Sequence, residues 1–152
     1  MAVLSPVFQA ESERVHHDHE NMLSELAELD AALDCLVCYS EVFADLRGAG
    51  AVQSVGRRLA QELPEHCKRE EAKVLDTVSE VSPEFAEFVT EMKRQHNELY
   101  VRLNAFCLAL DELAGSPDLD AAIAHLKEEG QELTRCLRQH ISVEEPELSG
   151  PL

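Results

Sequence analysis

The sequence predicts an all-α fold, an up-down-up-down four-helix bundle with a metal site in its core. Three observations predict it. Four stretches of the chain repeat apolar residues at steps of three and four, each stretch has one histidine on its apolar face, and two of those histidines precede a glutamate by four residues. Apolar residues at this spacing form one face of an amphipathic helix. Four such helices bury their apolar faces against one another, which places the histidines inside.

The first helical stretch has a regular apolar face. Its members are Val15, His19, Met22, Leu26, Leu29, Leu33 and Leu36. The glycines of Arg47-Gly48-Ala49-Gly50 predict a break between the first two helices. His19 and His66 have their midpoint near Val42, short of that break, so we expect the segment from about Cys38 to Ser54 to overhang or run irregularly.

The second stretch is less regular. Its inward-facing series is Val55, Leu59, Leu63, His66, Glu70, Val74 and Thr77. Pro64 lies inside this stretch, two residues before its histidine. Proline has no backbone N–H and its ring clashes with the preceding helical turn, so we expect a kink there.

The third and fourth stretches are regular throughout. The third series is Phe85, Val89, Met92, His96, Leu99, Leu103, Phe106, Leu110 and Leu113, and the fourth is Leu119, Ile123, Leu126, Gly130, Leu133, Leu137, His140 and Glu144. Ser82-Pro83-Glu84 and Ser116-Pro117-Asp118 each place a capping hydroxyl before a proline, which predicts two helix N-termini. Gly115 and Pro146 predict the ends of the third and fourth helices.

The positions of the histidines agree with antiparallel helices. His66 and His96 have their midpoint at Val81, within the predicted turn, and His96 and His140 have theirs at Asp118, beside Ser116. Histidines that share one site must lie at the same height on neighbouring helices. Both pairs meet this condition.

The composition limits the classes of function. With 152 residues, 45% of them apolar, the chain is expected to form one domain over residues 1–152. A net charge of −17 argues against nucleic acid and anionic membranes as partners, and it leaves a small molecule as the expected one. No apolar run predicts a signal peptide or a membrane span, and five cysteines suit reduced thiols, so a cytoplasmic location is expected.

The spacing of histidine and glutamate indicates metal binding. In His66-Cys-Lys-Arg-Glu70 and His140-Ile-Ser-Val-Glu144 the imidazole and the carboxylate are one helical turn apart, so both reach a point between helices. Buried carboxylates are costly unless they are paired or bound to a metal. Four imidazoles and two carboxylates exceed the needs of one tetrahedral zinc and suit two iron or manganese ions.

These motifs resemble the hemerythrin-like family, which is known for its HHE cation-binding pattern. That pattern is a lone histidine, HxxxE, a second lone histidine and a second HxxxE, and it matches His19, His66 with Glu70, His96, and His140 with Glu144. The resemblance extends over roughly Ser12 to Leu148 and includes Asp18 before His19 and paired acids at Glu70-Glu71 and Glu144-Glu145.

The resemblance implies a pair of iron ions with an oxo or hydroxo bridge. Glu70 and Glu144 would be the bridging carboxylates, His19 and His66 would bind one iron, and His96 and His140 would bind the other. His16, His17 and His125 lie off the apolar faces and are expected at the surface, with His16 as the one alternative ligand. By spacing, Glu62 is a candidate hydrogen-bond partner of a ligand.

Tyr100 departs from the pattern of the oxygen-carrying members, which have HxxxH on the third helix. Tyr100 lies four residues after His96 and has two interpretations, a packing residue or a metal ligand. A phenolate normally forms near pH 10, but ferric iron can hold it deprotonated. As an anionic donor it would favour ferric iron and work against reversible oxygen carriage.

The sequence therefore predicts a non-haem di-iron protein that reacts with peroxide, nitric oxide or oxygen, with detoxification of the peroxidase or catalase type favoured and Tyr100 as a participant. Two other classes stay open. One is a protein that binds or senses a small gas or iron without turnover, and the other is a metal-free helical interaction module. A single zinc site is a further alternative.

Overall fold

A computed structural model describes residues 5–39 and 46–149. Its helices are α1 (Pro6–Tyr39), α2 (Leu46–Glu70), α3 (Asp76–Val81), α4 (Ala86–Leu113) and α5 (Leu119–Ser149). A π-helical turn (Glu71–Leu75) joins α2 to α3, and a 3₁₀ turn (Pro83–Phe85) leads into α4. Because α2, the π turn and α3 follow one another directly, they form one rod, and the fold is the predicted four-helix bundle.

The four rods form a ring in which each packs against two neighbours. α1 packs against α2 and α5, while α4 packs against α2 and α5. Within the described ranges there is no β-strand, and no helix is both long enough and apolar enough to cross a membrane. Consecutive rods are antiparallel, as short connections between helices favour.

The apolar core has three parts. A large cluster around Phe106 contains apolar residues of α1, α2, α4 and α5, and a smaller one at the opposite end of the bundle contains Phe8, Val15, Val74, Val78 and Leu148. A third consists of Leu75, Val89 and Met92. On α1 and α4 the histidine lies between the large cluster and a small one. His19 follows Val15 and precedes Met22, and His96 follows Met92 and precedes Leu99. The predicted metal site is therefore a polar layer between two apolar ones.

The predicted break at Arg47–Gly50 is wrong, since these residues lie inside α2. Glycine costs a helix only about 1 kcal/mol relative to alanine. Val52 and Val55 are buried in the large cluster, and their packing favours the helix. The expected irregular segment from Cys38 to Ser54 is helical over 46–54, while residues 40–45 lie outside the described residues.

The predicted end of the last helix at Pro146 is also wrong, since α5 continues to Ser149. Proline removes one hydrogen bond, to the carbonyl four residues earlier. Leu148 is buried against Phe8 and Val78 in the small cluster, which holds this last turn in place. Pro64 lies inside α2 as predicted.

Two predicted caps and one buried position differ from the structure. Ser82 makes no side-chain cap, and at α5 the cap is Asp118, whose Oδ1 accepts a hydrogen bond from the Ala121 N–H at 3.1 Å. Beyond the π turn the buried face moves by one residue, because this turn contains an extra residue. Val78 is therefore buried, whereas Thr77 is half-buried and its hydroxyl donates to the Lys73 carbonyl.

Candidate metal centre

The four predicted histidines meet in pairs inside the bundle. The ring centroids of His19 and His66 are 5.0 Å apart, and those of His96 and His140 are 4.9 Å apart. All four rings are buried, with 1%, 7%, 0% and 4% of the residue exposed, respectively. Each comes from a different rod, as the matching heights predicted.

Glu70 and Glu144 complete the centre and belong to both halves of it. One group of converging ligand atoms consists of His19, His66, Glu70 and Glu144, and the other of Glu70, His96, His140 and Glu144; within each group the ligand atoms lie within 4.8 Å of one another. Both carboxylates are completely buried. The structure thus brings together six of the seven predicted ligands.

Each carboxylate presents one oxygen to each half. Glu70 Oε2 lies 2.9 Å from His66 Nε2, and Glu70 Oε1 lies 3.1 Å from His96 Nε2. Glu144 Oε1 lies 3.1 Å from His19 Nε2, and Glu144 Oε2 lies 3.4 Å from His140 Nε2. This is the geometry of carboxylates that bridge two positions.

The donor atoms at the centre fit a bound cation. Among the described residues, the four Nε2 atoms and the four carboxylate oxygens are buried and have no hydrogen-bond partner. Leaving a buried polar atom unsatisfied costs about 1–3 kcal/mol. Eight such atoms in two converging groups are expected where a metal supplies the missing partners.

The Nδ1 atom of each histidine faces away from the centre and meets an acceptor. The acceptor lies at 2.6 Å for His19 (Glu145), 3.0 Å for His66 (Asp18), 3.3 Å for His96 (Glu71) and 2.8 Å for His140 (Gln95). With the proton on Nδ1 donated outward, the Nε2 lone pair points inward, which is the arrangement a metal-binding histidine needs.

These acceptors follow the ring of helices in order. Asp18 on α1 serves α2, Glu71 after α2 serves α4, Gln95 on α4 serves α5, and Glu145 on α5 serves α1. The sequence interpretation proposed Glu62 for this role, but Asp18 is the residue beside His66 Nδ1. A signal was present, since every acceptor is the chain neighbour of a ligand on its own rod.

Burial and close contacts shift the pKa values of the histidines and carboxylates of the metal-free centre. Burial opposes charge on His19, but close contacts with Glu144 and Glu70 outweigh it and raise the pKa of His19 to about 10. Burial raises the pKa of Glu144 to about 8. For Glu70, burial is outweighed by contacts with three histidines, which hold its pKa well below the ordinary value.

The pKa values of the centre histidines His96 and His140 shift in opposite directions. The pKa of His96 rises to about 11 because its contacts with Cys67 and Glu70 outweigh burial. Burial, together with repulsion from His96, lowers the pKa of His140 to about 3. At pH 7 His96 is thus protonated and His140 is neutral.

Tyr100 lies one helical turn after His96, half-buried and packed against the large apolar cluster. Burial and the neighbouring Cys67 and Glu71 raise the pKa of its phenol. Cys67 is completely buried beside His96 and has no role in the sequence interpretation. Its position directly after His66 was the available signal.

The remaining histidines are at the surface, as predicted. His17 is exposed, and His125 is exposed beside Glu112 at 3.3 Å. His16 is exposed and lies 3.0 Å from both Glu20 and Glu145. His16 therefore lies outside the centre, where it contacts Glu145, the acceptor of His19.

Two cavities reach the centre from outside. A groove of about 470 Å³ between α1 and α2 is lined by polar residues and ends at His66. A smaller pocket of about 80 Å³ between α4 and α5 is lined by Gln95, Leu99, Cys136 and His140, among others. One water molecule needs about 10–15 Å³ of such space, so the second pocket has room for a few waters or for another small molecule.

Comparison with known proteins agrees with this geometry. The family model of the hemerythrin HHE cation binding domain matches residues 10–150. Searches of curated proteins and of solved structures gave no match. The match extends over nearly the whole chain and includes all six converging ligands. The chain therefore belongs to the hemerythrin HHE cation-binding domain family and is a metal-binding helical protein.

Proposed function

We propose that this chain holds two iron ions with an oxo or hydroxo bridge and removes small oxidants or gases by redox turnover. The substrates proposed are peroxide, nitric oxide and oxygen, with peroxidase or catalase chemistry favoured. One observation carries the proposal: Glu70 and Glu144 each offer one oxygen to each histidine pair. Such carboxylates serve two ions better than one.

The donor set supports iron or manganese over a single zinc. Zinc in a structural site takes four tetrahedral ligands, often thiolates, whereas this centre has four imidazoles and two carboxylates. Nitrogen and oxygen donors in this proportion suit iron. We assign His19 and His66 to one ion, His96 and His140 to the other, and Glu70 and Glu144 to both.

The protein provides position, enclosure and access. Bound iron would supply Lewis acidity and electrons for reduction of the oxidant. The histidines are held by their Nδ1 acceptors, and the apolar layers above and below keep bulk water out. The pocket beside His140 has room for small molecules such as peroxide.

Tyr100 is proposed as a further ligand, on the side of His96. This proposal is supported by its place one turn from His96 and by its half-buried position beside Cys67. The test is the visible spectrum of the aerobic iron-loaded protein and of Tyr100→Phe. A phenolate-to-iron band that disappears in the variant, with iron content unchanged, would establish ligation. An identical spectrum would make Tyr100 a packing residue.

We further propose a reducing, cytoplasmic setting. Cys35, Cys67, Cys107 and Cys136, the cysteines whose side chains are described, are all free thiols. Free thiols suit a compartment in which disulfides are reduced. The net charge of −17 supports a small molecule as partner in preference to nucleic acid or a membrane surface.

The deciding experiment measures peroxide consumption by the iron-loaded protein. With an added reductant such as ascorbate to return electrons to the iron, wild type should consume many equivalents of peroxide per chain, whereas consumption with oxygen release and no reductant would be the catalase reaction. His66→Ala should lose at least about tenfold of either rate because it removes a ligand. His125→Ala is the matched control, since this histidine is exposed and outside the centre. Reversible binding of oxygen or nitric oxide, without consumption of peroxide, would favour the carrier or sensor function instead.

A metal-free interaction module makes the opposite prediction for stability. In a metal protein, His66→Ala should lose metal and stability together. In a metal-free bundle, an alanine in place of a buried histidine with an unpartnered Nε2 should be tolerated or stabilising. Thermal unfolding with and without a chelator separates these cases.

A further inference from the structure

The acceptors around the centre differ in one respect. His19 and His66 donate to carboxylates, Glu145 and Asp18, and His96 donates to the carboxylate of Glu71. His140 instead meets the amide oxygen of Gln95 at 2.8 Å. The ring of acceptors therefore has three members that are anionic when ionised and one neutral member.

The orientation of the Gln95 amide is fixed from its other side. Its Nε2–H donates to Glu91 Oε1 at 3.1 Å, which turns its oxygen toward His140. Glu91 is itself held by Arg94, whose guanidinium donates to both of its oxygens at 2.9 and 2.7 Å. The assignment of amide nitrogen and oxygen thus follows from both partners. A carboxylate at position 95 would face the carboxylate of Glu91 at 3.1 Å.

Acceptor charge controls how strongly a histidine donates to a metal. A carboxylate draws the Nδ1 proton outward and makes Nε2 more basic, whereas a neutral amide fixes the ring without this effect. The half built on His19 and His66 has two carboxylate acceptors, at 2.6 and 3.0 Å. The half built on His96 and His140 has one carboxylate at the longer distance of 3.3 Å and one amide.

We propose that Gln95 is a positioning residue that makes the two halves of the centre inequivalent, so that the half built on His96 and His140 binds a divalent metal more weakly. This inference rests on the proposed two-ion centre. It assigns the weaker position to the half next to the pocket of about 80 Å³ between α4 and α5. The metal ion at this position is bound last and released first.

The test titrates cobalt(II) into the metal-free full chain, followed by calorimetry and by visible absorption. Cobalt(II) is a divalent probe that does not require oxidation of the centre. Wild type should bind two equivalents with dissociation constants that differ about tenfold or more, the range that such hydrogen-bond partners control. The same titration in Tyr100→Phe removes any contribution of the phenol.

The informative variant is the double substitution Glu91→Gln with Gln95→Glu. It exchanges amide and carboxylate, so the net charge is unchanged and the new amide at 91 can donate to the new carboxylate at 95. His140 then has an anionic acceptor. The weaker dissociation constant should fall about tenfold, while the tighter one stays unchanged. A selective gain in affinity is a result that structural damage would not produce.

Asp18→Asn is the mirror variant. It replaces the acceptor of His66 with an amide of the same shape, so the tighter constant should weaken about tenfold and the weaker one should stay unchanged. Two equal constants in wild type, or a double variant with both constants unchanged, would overturn the inference and leave the two-ion centre standing. Fewer than two equivalents bound by wild type would overturn both.

Discussion

Glu70 belongs to both halves of the candidate centre. It is completely buried, and its two oxygens face different histidine pairs. We predict that Glu70→Gln reduces iron from two per chain to fewer than one, because an amide is a poor bridging ligand. Elemental analysis of the purified variant checks this.

Glu71→Gln is the matched control for Glu70→Gln. Glu71 is the next residue in the chain but contacts His96 Nδ1 on the outside of the centre. Its substitution should leave two irons per chain and weaken only the one held by His96 and His140, about tenfold. Equal iron loss in both variants would contradict the bridging role of Glu70.

Glu25 gives a pH-dependent prediction at the residue scale. It is only 8% exposed, and burial together with contact from the carboxyl of Glu62 raises its pKa to about 7. Because this pKa lies above that of the unfolded chain, its contribution to stability is complete below about pH 4.5 and is lost as pH rises through 7. Glu25→Gln should remove that loss, amounting to at most about 3 kcal/mol above pH 8.

The measurement for Glu25 is the free energy of unfolding of wild type and variant between pH 5 and 8.5. Glu13→Gln, at an exposed position on the same helix, is the control and should follow wild type. A stability difference between Glu25→Gln and wild type that does not grow with pH would contradict the prediction.

Sequence reasoning identified the inner residues of the centre and missed its outer ones. The six converging ligands follow from helical spacing, because a residue and its neighbour four positions later share a face. The acceptors of Nδ1 come from adjacent helices, so spacing along one helix pointed to Glu62 where the structure has Asp18. The rotation of one helix against the next, which decides such contacts, is not encoded in local spacing.

The π turn is the feature of the elements that bears most directly on the centre. It begins at Glu71, directly after the ligand Glu70, and places Glu71 beside His96. Isolated π turns in α-helices are frequent at functional sites. Adjacent residues at this turn thus contact the two nitrogens of one ring: Glu70 lies beside His96 Nε2, and Glu71 lies beside His96 Nδ1.

Two glycines inside helices should respond oppositely to the same substitution. A Cβ at Gly50 would meet no atom within 4 Å, whereas one at Gly130 would lie 2.6 Å from Leu33 Cδ1. Gly50→Ala should therefore raise the free energy of unfolding by about 0.5–1 kcal/mol through helix propensity. Gly130→Ala should lower it by about 1–2 kcal/mol, because overpacking outweighs the same gain.

Denaturant unfolding of the two alanine variants beside wild type measures this difference. A destabilised Gly50→Ala would contradict the presence of Gly50 inside α2, and with it the correction to the predicted break. A stabilised Gly130→Ala would show that Leu33 moves aside without cost.

Helix existence was predictable here, but some helix ends were not. The apolar series of all four stretches lie on helices, since periodicity over many residues reports burial directly. Glycine at positions 48 and 50 and proline at 146 misled the prediction of ends. Their local costs are small enough for the packing of Val52 and Leu148 to outweigh them.

Metal binding by the whole molecule should release protons and stabilise the fold. The raised pKa values of His19, His96 and Glu144 keep these groups protonated at pH 7 without metal. A cation must displace those protons, so its affinity should fall as pH decreases from 7.5 to 6. Calorimetry in buffers of different ionisation enthalpy should detect release of more than one proton for every two metal ions bound. Heats that do not depend on the buffer would contradict this.

At the scale of the molecule, the antiparallel order of the last three rods was predictable from the heights of three histidines. His66, His96 and His140 lie at equal distances from the turns between them, which only antiparallel neighbours satisfy. The bridging arrangement of the two carboxylates was not predictable from the residues alone. It depends on the rotamers of Glu70 and Glu144 once all four helices are packed.

The central claim is that this bundle holds two metal ions, and iron content per chain tests it most directly. The full chain should be analysed after aerobic purification and again after anaerobic reconstitution with ferrous iron. The account predicts two irons per chain that survive desalting, and fewer than one in Glu70→Gln. Less than one iron per chain after reconstitution, with no other metal in its place, would contradict it.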